Sequence, residues 1–147
     1  MKVETIGVAV DGSTVSGLVM ETVDFLSRSE GVESIKVACA LPAAIAVADG
    51  VVNFPASAVD EMYQDAEKVL ARAEERLADV PCKVETYVLR GRDVAETLST
   101  FFKEQGCQMI VMGNRGQGGV KGYLGSVSRK VLLRATCPVV VVKDTNV

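Results

Sequence analysis

The chain contains no histidine and no tryptophan, and aromatic residues make up only 5% of its 147 residues. Histidine has the side-chain pKa closest to neutral pH, so its absence excludes Ser-His-Asp and Cys-His catalysis. It also leaves the four cysteines, none of them in a CxxC pair, without histidine partners for a zinc site. The sequence therefore identifies no catalytic residue, and any metal ligand stays unknown.

Three of the cysteines, Cys39, Cys107 and Cys137, lie inside or beside strand-like apolar runs. A thiol in such a run behaves as a small buried apolar group. This pattern favours a packing role over redox or metal chemistry.

Long apolar runs and a strong charge of one sign are also missing. The most apolar stretch, residues 41–54, is interrupted by polar residues and is shorter than the roughly 20 residues of a membrane span. The first residues, MKVETIGVAVDGS, lack the basic start and long apolar centre of a secretory signal. The net charge of −3 indicates no general nucleic-acid surface. We therefore expect a cytoplasmic protein without membrane or nucleic-acid partners.

What the chain does contain is a regular alternation of strands and helices. Its length predicts a single domain over residues 1–147. Apolar, β-branched runs predict five strands, at residues 5–10, 35–41, 84–89, 109–112 and 139–142. Short connections through helices predict an α/β fold of the Rossmann-like kind, an open five-stranded parallel sheet with helices on both faces.

Strand composition predicts the order of the sheet. The first and fourth strands, IGVAV and MIVM, are apolar throughout, as central strands are, whereas the third alternates and belongs at an edge. These features favour the order 3-2-1-4-5. Ligands in such sheets bind beyond the carboxyl ends of the strands where the order reverses, here between strands one and four.

Two of the predicted helices carry more detail. The long second helix has one apolar stripe, with Ser57 predicted as its cap and Asp60 and Glu61 in its first turn. The fourth, over about residues 126–135, is predicted to bury Val127, Val131 and Leu132.

The connection over residues 42–56 is unusually long and apolar, and is broken by prolines and a glycine. Long connections are often functional, and this one follows a central strand, so it is placed to cover a ligand. A surface insertion or an oligomer contact explains it equally well.

The densest functional signal is the segment GNRGQGGVKGYLGSVS, residues 113–128. A simple turn needs one or two glycines, whereas six glycines expose backbone amides that approach a phosphate closely. The helix that follows adds the positive end of its dipole, and Ser126 adds a hydroxyl. Arg115 or Lys121 supplies charge to the same group. The segment is neither a P-loop, GxxxxGK[ST], nor a Rossmann GxGxxG.

A second element, Asp11-Gly12-Ser13, follows the first strand at the same reversal. Alone it is ordinary turn and helix-cap chemistry. Together with the paired Gly113 and Gly116 and the later Gly125-Ser126, it resembles the universal stress protein family over nearly the whole chain.

The resemblance implies binding of ATP, or of ADP or AMP, with Mg²⁺ or Mn²⁺ bridging the phosphates. Asp11 would lie near the adenine and ribose, the backbone of Cys39 beside the base, and the glycines with Ser126 around the phosphates. The full set of candidate nucleotide-binding residues is Ala9, Asp11, Ser13, Cys39, Met112, Gly113, Arg115, Gly116, Gly125, Ser126, Val127 and Ser128. The resemblance also implies a homodimer through Val139–Val142, an apolar edge that otherwise invites aggregation.

One spacing departs from the family pattern, because eight residues rather than nine separate Gly116 from Gly125. Three functions therefore stay open: a nucleotide-dependent regulatory or stress-response protein acting on an unidentified protein partner, a slow ATPase, and a dimeric interaction module without nucleotide.

Overall fold

The computed structural model describes residues 1–13, 16–115 and 123–143, and within them seven strands and four helices follow one another. The strands are β1 (Thr5–Ala9), β2 (Ser34–Pro42), β3 (Ala44–Val47), β4 (Gly50–Asn53), β5 (Lys83–Gly91), β6 (Met109–Gly113) and β7 (Val139–Val142). The helices are α1 (Ser16–Ser27), α2 (Ala56–Arg76), α3 (Val94–Glu104) and α4 (Ser126–Arg134).

Five of the strands form one parallel sheet in the order β5-β2-β1-β6-β7. Counted among themselves these strands have the order 3-2-1-4-5, so the predicted fold class is confirmed. The inner residues of β1 and β6 are buried, whereas no residue of the edge strand β5 is. The difference follows from composition, because only strands covered on both faces are apolar throughout.

Two apolar cores lie on opposite faces of the sheet. One packs α1 and α2 against it, with Val19, Val23 and Leu70 among its buried side chains. The other packs α3 and α4, around Phe102 and Val131. Helices on both faces leave the carboxyl ends of the central strands open at one edge of the layer structure.

Glycine allows the closest contact between the layers. A Cβ atom at Gly7 of β1 would lie 2.5 Å from the ring of Phe102, well inside van der Waals contact. The absence of a side chain at this position therefore lets α3 pack directly on the sheet.

The long connection over residues 42–56, in which no strand was predicted, contains two. Its strands β3 and β4 pair antiparallel as a hairpin outside the main sheet, with Ile45 opposite Val52 and Val47 opposite Gly50. The β-branched residues of the strands AIAV and GVVN, on either side of the Asp49-Gly50 pair, favour such a hairpin, and Gly50 has a φ of 135°. The prolines at either end obscured this pattern in the sequence.

The predicted start of α2 is also wrong. Pro55 occupies the N-cap position and its carbonyl accepts the amides of Ala58 and Val59, so Ser57 is already helical and caps nothing. Proline has the φ that this position requires, which moves the start toward the amino end. Asp60 and Glu61 consequently lie beyond the first turn, which has no acidic residue.

Helix α4 buries less than predicted. Val131 is fully buried, but Val127 and Leu132 are each 39% exposed, and Leu133 is 81% exposed. The helix has only nine residues, and its contact with the sheet is a narrow stripe through Ser128 and Val131. Its remaining apolar side chains face outward.

Within the described residues, no helix combines the length and the apolar character needed to cross a membrane.

Candidate functional site

Three strand ends meet at the reversal of the sheet. The Val10 amide donates to the Ala38 carbonyl at 3.0 Å, which keeps the end of β1 beside Cys39 of β2. On the other side, Val8 of β1 pairs with Val111 of β6. Continuing that register by two residues places Val10 beside Gly113. The residue after Val10 is Asp11, so the acidic turn lies between the two neighbouring strand ends, as predicted.

The turn after β1 is built by Asp11, Gly12 and Ser13. One carboxylate oxygen of Asp11 accepts the Ser13 amide at 2.9 Å, and Gly12 has a φ of 79°. Few residues other than glycine adopt that φ without strain. The Ser13 carbonyl accepts the Ser16 amide at 3.0 Å, which starts α1. The turn fixes an exposed carboxylate at the mouth of the sheet.

A cleft of about 340 Å³ opens between these strand ends and α2. Asp11, Gly12 and Cys39 line its sheet side. The α2 side is lined by apolar and charged side chains, Met62, Asp65, Ala66, Lys68, Val69 and Arg72. A volume of this size lies in the range of small-molecule sites, which are mostly apolar with a few polar groups.

A second cleft, of about 400 Å³, adjoins the first and shares Gly12, Val69 and Arg72 with it. Ser13 also lines it, together with Ser16 at the start of α1. Sequence reasoning missed the contribution of α2 to both clefts. The sequence showed the apolar stripe of that helix. The two cationic residues four positions apart, Lys68 and Arg72, were the signal that residues beside this stripe border a polar site.

Cys39 forms a neutral wall of the first cleft. It is buried, and burial together with the negative charge of Asp11 raises the pKa of its thiol to about 11. The thiol is therefore protonated at neutral pH. Both side chains line the same cleft.

The two described ends of the glycine-rich segment are held together. The Gly125 amide donates to the Asn114 carbonyl at 2.6 Å, and the Ser128 hydroxyl donates to the Gly113 carbonyl at 2.8 Å. Asn114 and Ser128 are both buried. The backbone amide of Asn114 donates to the Val142 carbonyl of β7 at 2.9 Å. The sequence did not identify Asn114, because an asparagine directly after a glycine is also typical of a turn.

The start of α4 faces outward at the same edge of the sheet. Gly125 is its N-cap, and Ser126 and Val127 in its first turn are exposed. The first amides of a helix have no acceptor within the helix and carry the positive end of its dipole. This terminus, beside the end of β6, is suited to an anionic group.

The remaining predicted residues are distributed as follows. Ala9 and Met112 lie at the carboxyl ends of β1 and β6, and their side chains pack into the core under α3 and α4. Arg115 is half-buried directly after Asn114. Gly116 lies outside the described residues, as do Gly118, Gly119, Lys121 and Gly122 of the same segment.

With the fold and this edge of the sheet established, comparison with known proteins decides the family. A model described as the universal stress protein family matches residues 2–143. The chain belongs to the universal stress protein family. The predicted resemblance is therefore confirmed.

Individual universal stress proteins agree with this assignment. YxiE, a universal stress protein of Bacillus subtilis, is 32% identical over 143 residues, which are 92% of this chain and 96% of the relative. The hypothetical protein MJ0577 shares the fold over the full length of both chains, with a TM-score of 0.83 and 22% identity. The universal stress protein of Archaeoglobus fulgidus, solved in complex with dAMP, has a TM-score of 0.73 and 25% identity over 97% of this chain and all of its own.

Proposed function

We propose that this universal stress protein binds an adenine nucleotide, ATP or its diphosphate or monophosphate, at the reversal of its sheet. The observation that carries the proposal is the convergence of Asp11, Cys39 and the start of α4 on one edge of the sheet. The dAMP bound by the Archaeoglobus fulgidus relative supports this ligand class.

The lining of the two adjoining regions gives the nucleotide a direction. The adenine ring lies in the 340 Å³ cleft, between Cys39 and the apolar residues Ala66 and Val69 of α2. An adenine ring packs against apolar surfaces, and the uncharged Cys39 thiol provides one of them. Asp11, at the rim, accepts hydrogen bonds from the ribose or the base.

The phosphates lie toward Gly125, Ser126 and Val127. The first amides and the positive dipole end of α4 stabilise their charge, and the Ser126 hydroxyl adds a donor. The described residues contain no group of three or more acidic, cysteine or histidine side chains that could hold a metal ion. Mg²⁺ or Mn²⁺ would therefore be held by the phosphate oxygens rather than by a protein cage.

In this proposal the whole chain is one cytoplasmic nucleotide-binding domain that regulates a protein partner. The exposed β3–β4 hairpin connects β2 to α2, both of which line the cleft, so we expect an occupied cleft to change this surface. We expect little or no ATP turnover, because Asp11, the one carboxylate among the candidate site residues, is assigned to the base and the ribose rather than to the terminal phosphate.

Equilibrium dialysis with ATP, AMP and GTP tests the proposal. We expect saturable binding of one adenine nucleotide per chain, with GTP much weaker. Asp11→Ala should weaken binding by roughly tenfold or more, since hydrogen bonds to a charged group contribute about 1.5–3 kcal/mol. Asp24→Ala, which removes an exposed carboxylate of α1 paired with Arg28, is the matched control and should bind normally. Absence of saturable adenine-nucleotide binding at millimolar concentration would remove the proposal.

We further propose that two copies associate through β7. This edge strand consists of four half-buried valines, and the neighbouring α4 exposes Leu132 and Leu133. An apolar edge with unpaired backbone groups favours pairing with a second strand. Light scattering coupled to gel filtration should show a dimer that Leu133→Glu dissociates. Phe25→Glu, at a 74% exposed position on α1, is the control and should leave the dimer intact. A monomeric wild-type protein at micromolar concentration would refute the dimer.

A further inference from the structure

Two cysteines lie at the amino ends of neighbouring strands, far from the candidate nucleotide site at the carboxyl ends. Cys107 is two residues before β6, and Cys137 is two residues before β7. Ile110 pairs with Val139, and its amide donates to the Pro138 carbonyl at 3.0 Å. Continuing this register places Cys137 beside Gln108, the immediate neighbour of Cys107.

Cys107 is therefore offset by one residue from the position directly opposite Cys137. With strands about 4.8 Å apart and a rise of about 3.3 Å per residue, this diagonal is roughly 6 Å, within the range of about 4.4–6.8 Å that separates the Cα atoms of a disulfide. Strand alternation does not apply to Cys107, which precedes β6 and whose amide donates to the Phe102 carbonyl of α3. Cys107 is a buried member of the core under α3 and α4, and the half-buried Cys137 packs against that core.

Burial raises the pKa of both thiols, that of Cys107 to about 11. Reaction of either thiol as a thiolate is therefore favoured by alkaline pH. The other two cysteines, Cys39 and Cys82, belong to the core on the opposite face of the sheet.

We propose that Cys107 and Cys137 are a redox pair that closes to a disulfide under a peroxide oxidant. The more exposed Cys137 thiolate attacks one oxygen of the peroxide, which gives a sulfenic acid and one water. The Cys107 thiolate then attacks the sulfenic sulfur, the S–S bond forms, and the hydroxyl leaves as a second water. Two thiols are oxidised and one hydrogen peroxide is reduced to two waters.

The bond would enclose the glycine-rich segment. The chain between Cys107 and Cys137 contains β6, residues 113–128 and α4. Closing a loop of this length restricts the unfolded chain, so the oxidised protein should unfold at a temperature higher by on the order of 5–10 °C.

Peptide mapping after peroxide treatment of the reduced protein tests the pair, because trypsin places the four cysteines in four different peptides. We expect the intact mass to fall by about 2 Da and residues 104–115 to become linked to residues 135–143. Cys39→Ser and Cys82→Ser should leave this link intact. Cys107→Ser should abolish it and leave a sulfenic acid on Cys137 that dimedone traps.

Two results would overturn the proposal. One is linkage of Cys39 or Cys82 at a comparable yield. The other is oxidation of Cys137 to the sulfinic acid in the wild-type protein without any loss of 2 Da. Because mapping of the wild-type protein needs no substitution, the test does not depend on whether Cys107→Ser folds.

Discussion

Removal of the Ser128 hydroxyl is the sharpest local perturbation of the site. Ser128 is 6% exposed, and its hydroxyl donates to the Gly113 carbonyl at 2.8 Å, which joins the first turn of α4 to the end of β6. In Ser128→Ala that half-buried carbonyl loses its donor. A hydrogen bond of this kind contributes about 0.5–1.5 kcal/mol to stability. For a chain of this size the loss corresponds to a fall in Tm of roughly 1–6 °C.

The same substitution should affect ligand binding, since it loosens the contact that orients the start of α4. Thermal unfolding monitored by circular dichroism, with and without ATP, measures both effects. Ser99→Ala is the matched control, because the Ser99 hydroxyl donates at 2.8 Å to the Ala95 carbonyl within its own helix. That carbonyl keeps its helical amide donor, so the control should change stability by less than about 0.5 kcal/mol. Equal Tm values for Ser128→Ala and wild type would refute the role assigned to this hydrogen bond.

Three further predictions follow from single residues. Gly12 has a φ of 79°, so Gly12→Ala should lower the free energy of unfolding, measured in urea, by about 1–2 kcal/mol. Gly12→Asn should recover part of this loss. An alanine variant as stable as the wild type would contradict the strained turn. Asp93→Ala removes the cap of α3 and should cost about 0.5–2 kcal/mol. The bond from the Glu96 amide lowers the pKa of Asp93 below 3.8, so this contribution should be present above that pH and disappear as the pH falls further; an unchanged difference at pH 2 would refute it. Burial raises the pKa of Cys39 from 9.0 to about 11, so the unfolded chain loses this proton first and stability should decline between those pH values by on the order of 1 kcal/mol per pH unit. Cys39→Val should flatten that decline, measured by urea unfolding from pH 8 to 11, and an identical slope would contradict it.

The order of the main sheet could be predicted because composition reports directly on burial. A strand such as β1, apolar on both faces, is stable only in the centre, and the alternating β5 only at an edge. The Asp11 turn and the glycine-rich segment could be brought together on the same basis, since parallel strands end at one edge. The α2 residues that line the cleft could not be predicted, because their position depends on how the helix packs across the sheet.

Local competition between residues explains the other errors. Ser57 is a good N-cap residue in isolation. Pro55, two residues earlier, already has the required φ and takes the N-cap position instead. Val127 and Leu132 have helical spacing, yet a short helix covers the sheet with one stripe only, so they face outward. The proximity of Cys107 and Cys137 depends on the register of two strands, which the sequence does not specify.

Mapping of backbone amide chemical shifts during an AMP titration tests the adenine-nucleotide site most directly. We expect saturating shifts at Asp11 to Ser13, at Cys39, at Gly113 and at Gly125 to Ser128, with the amides of α3 unchanged. Saturating shifts that are confined to α3 and β5, or no shifts at millimolar AMP, would contradict it.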